Sequence, residues 1–348
     1  MIKMRNLALG AAAAWLSLGM ASAFAQQAKA PPADLTVLPP VPTNYQPGKT
    51  SWGEPDLRGK WPIDFLNGTP LQRDPKYGDR VFMNDEEYAE RTKVADARQS
   101  RYEKEGESNK IGIGHWAEAG VANRRTSLLV SPANGRLPAM TAEGKRRAAL
   151  MRSSWRKGQT FDWVTDFDTW DRCITRGLPA SMFPFQYNNG IRIFQSPAIV
   201  AVKMEMIHET RIIPTDGRTQ IPNQIRNWLG ESRGHWEGNT LVVETTHFRP
   251  GPSATNIGTT GSPPENDTPI SEQARMTERF TMTGPDSIVY EVTYNDPVVF
   301  TAPWTARLDW KRNDKYESFE YACHEGDVQI RNYITASRAE RARQQEGK

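Results

Sequence analysis

The sequence predicts a mainly β protein: an antiparallel barrel or curved sheet carrying a few peripheral helices. Three observations carry that expectation. From residue 198 onward, short apolar runs alternate with polar residues at period two, the spacing of a strand with one buried face. Gly, Asn, Asp and Pro punctuate these runs at hairpin spacing, and no crossover helix separates them. The same half of the chain holds Trp228, Trp236, Trp304 and Trp310 with Tyr187, Tyr290, Tyr294 and Tyr321, an aromatic load that suits a β core or an aromatic-lined pocket.

Residues 1–25 read as a signal peptide. Lys3 and Arg5 open it, Leu7 to Met20 are almost all apolar, and Ala23-Phe24-Ala25 gives the small-x-small cleavage pattern before Gln26. The apolar run is short for a membrane span, and no later stretch approaches about 18 continuous apolar residues. The expectation is a periplasmic or secreted protein with no integral membrane segment after processing. Cleavage removes two cations and brings the formal net charge from +3 to +1. The remaining Lys and Arg are scattered among acids, so no nucleic-acid partner is expected.

Residues 26–55, rich in Pro and including Pro31-Pro32 and Pro39-Pro40, predict an extended tether. A single β-rich domain is expected over residues 56–337, with a helical insertion at about 84–156. Asn84-Asp85-Glu86-Glu87 has the capping-box form, and the charged stretch that follows predicts a surface helix. A second helix is expected from Thr141. Thr126 to Val130 reads as a strand between the two helices, ended by the Asn134-Gly135 turn.

After Cys173 the pattern is strongly β. Val200, Val202, Met204 and Met206 share one face of a strand, with Ala201, Lys203 and Glu205 opposite. The methionine-bearing face is the more apolar, so Glu205 is expected to point outward beside Lys203. Turned inward it becomes a buried candidate acid or base. Strands follow at Arg211 to Ile213 and Leu241 to Thr245. Two hairpins are expected, one of Arg279 to Thr283 with Ile288 to Tyr294, the other of Trp304 to Trp310 with Tyr316 to Ala322. Arg249 to Ser271 predicts a structureless loop, either a lid or a surface loop. Residues 338–348 read as a charged tail that frays.

Candidate chemistry rests on few residues. The sequence has five histidines and no paired-cysteine, His-Glu-x-x-His, Gly-x-Ser-x-Gly or phosphate-loop signature, so no metal or other cofactor is expected. His208-Glu209 and His324-Glu325 each close an expected strand. Imidazole shuttles protons near neutral pH and a carboxylate orients it, although adjacent strand residues point to opposite faces. Two readings stay open: proton shuttles, or rim histidines bonded to loop backbone. Brought together, the two pairs could instead hold a divalent metal. Cys173 and Cys323 read as one disulfide in an oxidising compartment, with two buried thiols as the alternative. That link would bring Arg176 towards His324 and Glu325 as an oxyanion anchor or a plain ion-pair partner. Arg211 is a second candidate anchor. Tyr187, Asn188, Trp228, Trp236, Trp304 and Tyr321 are candidate pocket residues.

These motifs resemble an uncharacterised family of secreted bacterial proteins. The resemblance lies in Arg172-Cys173-Ile174 with Arg176-Gly177-Leu178-Pro179, in Met206-Ile207-His208 leading to Arg211-Ile212-Ile213-Pro214, and in Asp216-Gly217-Arg218. It continues through Ser232-Arg233-Gly234-His235-Trp236-Glu237-Gly238, Ala302-Pro303-Trp304-Thr305 and Cys323-His324-Glu325-Gly326, covering residues 124–337. The family brings no assigned reaction. Asp56-Leu57-Arg58-Gly59-Lys60-Trp61 also resembles the Gly-x-Trp opening of lipocalin-like barrels, whose tryptophan plugs the closed end; the helical insertion departs from that topology. Taken together, the expected function is acid–base conversion of a small apolar or aromatic compound, of lyase, isomerase or cofactor-free hydrolase type. The alternatives are a non-catalytic ligand carrier and a metal-dependent enzyme using the two His-Glu turns.

Overall fold

Period-two alternation does produce strands, and they assemble into two antiparallel sheets rather than one closed wall. The computed structural model describes residues 31–109, 112–154, 156–255, 268–325 and 327–346. The expected signal peptide lies outside the described residues.

A four-stranded sheet runs in the order β1 (Gly59–Lys60), β3 (Ile191–Ser196), β4 (Ile199–Met204), β5 (Thr210–Pro214). A six-stranded sheet runs β2 (Leu129–Ser131), β12 (Trp304–Lys311), β11 (Ser287–Asn295), β10 (Arg275–Gly284), β7 (Thr240–Thr246), β6 (Glu231–Glu237). Among the described residues no barrel closes. The expected structureless loop instead contributes a two-stranded ribbon, β8 (Gly251–Thr255) with β9 (Thr268–Ile270). Residues 256–267, where a lid was expected, lie outside the described residues.

The inward faces of both sheets feed one hydrophobic cluster. Ile191, Ile193, Val200, Val202 and Met204 come from the smaller sheet; Phe280, Tyr290, Tyr294, Trp304 and Trp310 come from the larger. Burial of side chains this size contributes roughly 1.5–3 kcal/mol each. Trp61 of the Gly-x-Trp run is fully buried in this cluster and donates its indole N–H to the Leu57 carbonyl at 2.9 Å.

Arg211 faces into the core from β5. Its guanidinium donates to both oxygens of Glu278 on β10, at 2.8 and 2.6 Å, and to Ser232 Oγ on β6 at 3.1 Å. Tyr290 adds a phenol hydrogen bond to Glu278 at 2.8 Å. This buried pair ties the two sheets together. Arg211 is therefore consumed as a structural cation, against its expected role as an anchor for a ligand.

Helix α1 (Asp85–Gly106) starts where the capping box places it: Asn84 Oδ1 accepts from the Glu87 amide at 2.8 Å, and Glu87 accepts from the Asn84 amide at 3.1 Å. It buries no side chain, as its charged sequence requires. Helix α2 (Ala142–Ala149) is capped by Thr141. Two expectations fail towards the C-terminus. Residues 316–322 form no strand, and the tail expected to fray is part of α3 (Gln329–Glu346). The charges of α3 are spaced along a helix of good formers, and Arg341 pairs with Asp162 across the fold. The Pro-rich segment is extended but not loose: Val81 and Phe82 donate to the Leu35 carbonyl, and Arg307 donates to that of Pro39.

Candidate functional site

The site begins at a strained turn. Strand β4 ends at Met204, and Glu205 leaves strand geometry with φ −68° and ψ −44°. Ile207 and His208 then both take left-handed φ, 56° and 46°. A β-branched residue there is a genuine outlier, stored only where surroundings hold it. The surroundings here are Trp170, Phe185 and Met206, against which Ile207 packs. Cys173 and Asn188 are left-handed as well, so four of the six such non-glycine residues among the described residues frame this one place.

The turn decides which side chains meet. Glu205 stays on the Lys203 side, where both line the same cleft, yet it is only 5% exposed because residues 316–319 cover it, against the expectation of a solvated position. One Glu205 oxygen accepts from the Gly190 amide at 2.9 Å and the Tyr316 hydroxyl at 2.8 Å. The other accepts from the Phe319 amide at 2.7 Å and Asn188 Nδ2 at 3.1 Å. Gly190 is required: a Cβ there would run into Glu205 Oε2 and stand 2.7 Å from the Tyr316 ring. The Tyr316 hydroxyl and the Phe319 amide thus go to a buried carboxylate, and the Tyr316 and Tyr321 carbonyls to Lys60 and His208, rather than to a neighbouring strand.

The disulfide Cys173–Cys323, with Cα atoms 5.8 Å apart, fixes the far end of this segment. Between segment and sheet lies a cleft of about 520 Å3. Arg192, Lys203, Glu205 and His208 line it on the sheet side, and Tyr321, Cys323, His324 and Glu325 on the other. Nδ1 of His208 lies 3.1 Å from the Tyr321 carbonyl. The proton that makes this hydrogen bond must sit on Nδ1, which leaves Nε2 of a neutral ring as an acceptor.

Behind Glu205 lies a second carboxyl. Tyr316 Oη reaches Glu118 Oε1 at 3.3 Å, and Asn189 Nδ2 donates to the other Glu118 oxygen. Burial, then the charges of Asp64 and Glu205, push the Glu118 carboxyl up to about 7. Burial also raises Asp64, with Glu205 adding to it, and raises the Tyr316 phenol. One phenol proton therefore lies between two carboxyl groups, one of which changes charge near neutrality.

The structure gathers His208, His324, Glu205, Glu325, Tyr321 and Cys323 around one cleft and separates the rest. Glu209 turns away from His208: Ser181 Oγ donates to it at 3.3 Å, and burial pushes its carboxyl up to about 7. The left-handed turn at Ile207 and His208, which ends before the strand resumes at Thr210, separates the two side chains. Arg176 is buried with Trp170 and Phe185 against its guanidinium, donates to the Phe183 carbonyl at 3.0 Å, and does not line the cleft. Burial pushes it down to about 10, so it stays cationic. Tyr187 stacks on Tyr321 at 6.4 Å and meets Trp116 edge-on at 5.2 Å, so it backs the cleft wall, while Asn188 holds Glu205. Trp304 is a core residue, Trp236 packs against the core, and Trp228 lies under Arg249; none lines the cleft.

Sequence reasoning missed Glu118, Tyr316, Asn189 and Asp64. No spacing rule links Tyr316 to partners 198 and 111 residues away. Among the described residues no three His, Cys, Asp or Glu side chains converge as metal ligands would, so the metal-dependent reading gains nothing. No helix of the described residues is long and apolar enough to cross a membrane. Comparison with family models, curated proteins and solved structures finds no match to this chain.

Proposed function

We propose that this is an exported enzyme that takes a small, partly aromatic compound into the cleft and converts it by acid–base chemistry of lyase, isomerase or hydrolase type. The observation that carries the reading is the convergence of His208 and His324 on one cleft above Glu205, with Tyr316 linking Glu205 to Glu118. His208 Nε2 accepts a proton from the compound, and His324 returns one to it. Arg192 and Lys203, cross-strand neighbours on the cleft face, take the anchoring role expected of Arg176 and Arg211. Tyr187 and Tyr321 supply an aromatic border. Membership of the secreted bacterial family and export belong to the same proposal; the disulfide supports export, because such links persist in oxidising compartments.

Native mass spectrometry of the protein purified from its export compartment identifies a retained organic compound, whose turnover is then followed. Replacing both histidines (His208→Ala with His324→Ala) should lower that turnover by about 100-fold or more, the usual range for a positioned acid–base group. Unchanged turnover in the double variant rejects the reading. The tyrosine stack favours a carrier as the second reading: there Tyr321→Ala abolishes binding, and no product forms in either protein.

A further inference from the structure

A cluster of buried arginines lies outside the cleft, on the outer face of the larger sheet. On β12 the side chains of Trp304, Ala306, Leu308 and Trp310 enter the core, so Arg307 points the opposite way. It is nevertheless only 8% exposed, because the segment around Pro39 and the chain before β2 cover it. Arg73, 1% exposed, and Arg125 stand close enough to act on one another electrostatically, with Arg307 as the third.

The hydrogen-bond inventory of these guanidinium groups is incomplete. Arg73 donates to Thr126 Oγ1 at 3.0 Å and to the carbonyls of Gly78 and Ala133 at 3.2 and 2.7 Å, but its Nη2 has no acceptor. Arg125 spends Nη2 on the Ser127 carbonyl at 3.1 Å, leaving Nε and Nη1 buried and unmatched. Arg307 gives Nη1 to the Pro39 carbonyl at 2.7 Å, and its Nε has no hydrogen-bond acceptor. The acids nearby are few. Asp309 stands 3.7 Å from Arg307 Nε with its side chain 56% exposed, Glu291 is the cross-strand neighbour of Arg307, and the exposed Asp79 acts on Arg73. Burial, with repulsion from Arg307 and Arg73, pushes Arg125 down to about 10.

Buried guanidinium groups ordinarily find acceptors for their N–H groups, and like charges gathered out of water are unstable without a counter-ion. We propose that Arg73, Arg125 and Arg307 form a binding site for a tetrahedral oxoanion, a phosphate or sulfate group. Four unmatched N–H-bearing nitrogens on three separate segments need acceptors in more than one plane. A tetrahedral group offers that, whereas one planar carboxylate meets one guanidinium fork. Entry is beside Asp309, the exposed member of the cluster. Because Arg307 also holds the Pro39 carbonyl, the anion would fasten the N-terminal segment to the larger sheet.

The test is thermal unfolding of the full chain in chloride at fixed ionic strength, with inorganic phosphate, sulfate, glycerol phosphate or acetate added in the low-millimolar range. Sulfate and phosphate stabilise proteins generally by exclusion from their surface, so the reading is the difference between the wild type and Arg125→Met. Expected is a midpoint that rises with the logarithm of the tetrahedral anion concentration, no rise with acetate, and loss of the rise in Arg125→Met. A larger rise with glycerol phosphate assigns the site to a phosphate ester, and a larger rise with the inorganic ions assigns it to the free anion. An equal rise in both proteins, or none in the wild type, overturns the proposal. Should Arg125→Met fail to fold, Asp309→Asn decides: removing that competing carboxylate must tighten anion binding several-fold, and unchanged binding overturns the site.

Discussion

Glu118 holds its proton up to about pH 7 because burial and two neighbouring carboxyls disfavour its charge, whereas in the unfolded chain it ionises near 4.5. Between those values the folded protein binds more protons than the unfolded one, so this carboxyl's contribution to stability is present at low pH and falls as pH rises through the window. Glu209, pushed up to about 7 by burial, acts in the same direction, as does Asp168, pushed up to about 6 by burial and Asp171. Glu118→Gln should therefore flatten the pH dependence, gaining on the order of 1–3 kcal/mol relative to wild type between pH 5 and pH 8 in urea unfolding. An unchanged pH profile would mean that Glu118 does not titrate in that range. None of this was readable from Glu118 itself. It is an acid in a stretch without periodicity, and its partners Asn189 and Tyr316 reach it only through the fold.

Elements fixed by local rules were legible. The capping box predicts the start of α1 because both of its hydrogen bonds span three residues. The β10–β11 hairpin follows from the turn chemistry of Gly284 to Ser287 and the alternation on either side. What failed was the segment 316–322, whose apolar spacing looks like a strand but whose hydrogen bonds go to the Glu205, Lys60 and His208 side chains and not to a neighbouring ladder. The burial of Glu205 escaped for the same reason: alternation puts it with Lys203, and distant residues 316–319 then cover it. Gly190→Ala tests this account. A methyl group there displaces Glu205 or Tyr316, so hydrogen exchange at residues 316–322 should quicken by about tenfold or more while β3, β4 and the larger sheet keep their protection. Equal protection of 316–322 in both proteins would show that the carboxylate does not hold the segment.

For the whole molecule the question is what survives when long-range ties are cut. The disulfide closes a span of 150 residues, worth about 5 kcal/mol in the chain-entropy account. Both sheets keep their core and the Arg211–Glu278 link without it. Cys173→Ser with Cys323→Ser should thus lower stability by up to that amount, preserve the far-ultraviolet circular dichroism of the sheets, and abolish cleft-dependent turnover. Retained turnover would show that the Glu205 contacts alone maintain the site. The mainly β class was visible from patterning, and the disulfide from the expectation of an oxidising compartment. How ten strands divide between two sheets was not, because pairing order is decided by contacts that no window of sequence contains.

The order in which the chain is laid down carries one more consequence. Every sheet strand of the described residues is complete by Lys311, whereas the outer wall of the cleft, with Tyr321, Cys323, His324 and Glu325, comes after it. A polypeptide emerging from its N-terminus therefore finishes the scaffold before it owns a site. Cys173 waits for a partner that appears 150 residues later, and the second wall of the cleft arrives on a framework already able to receive it.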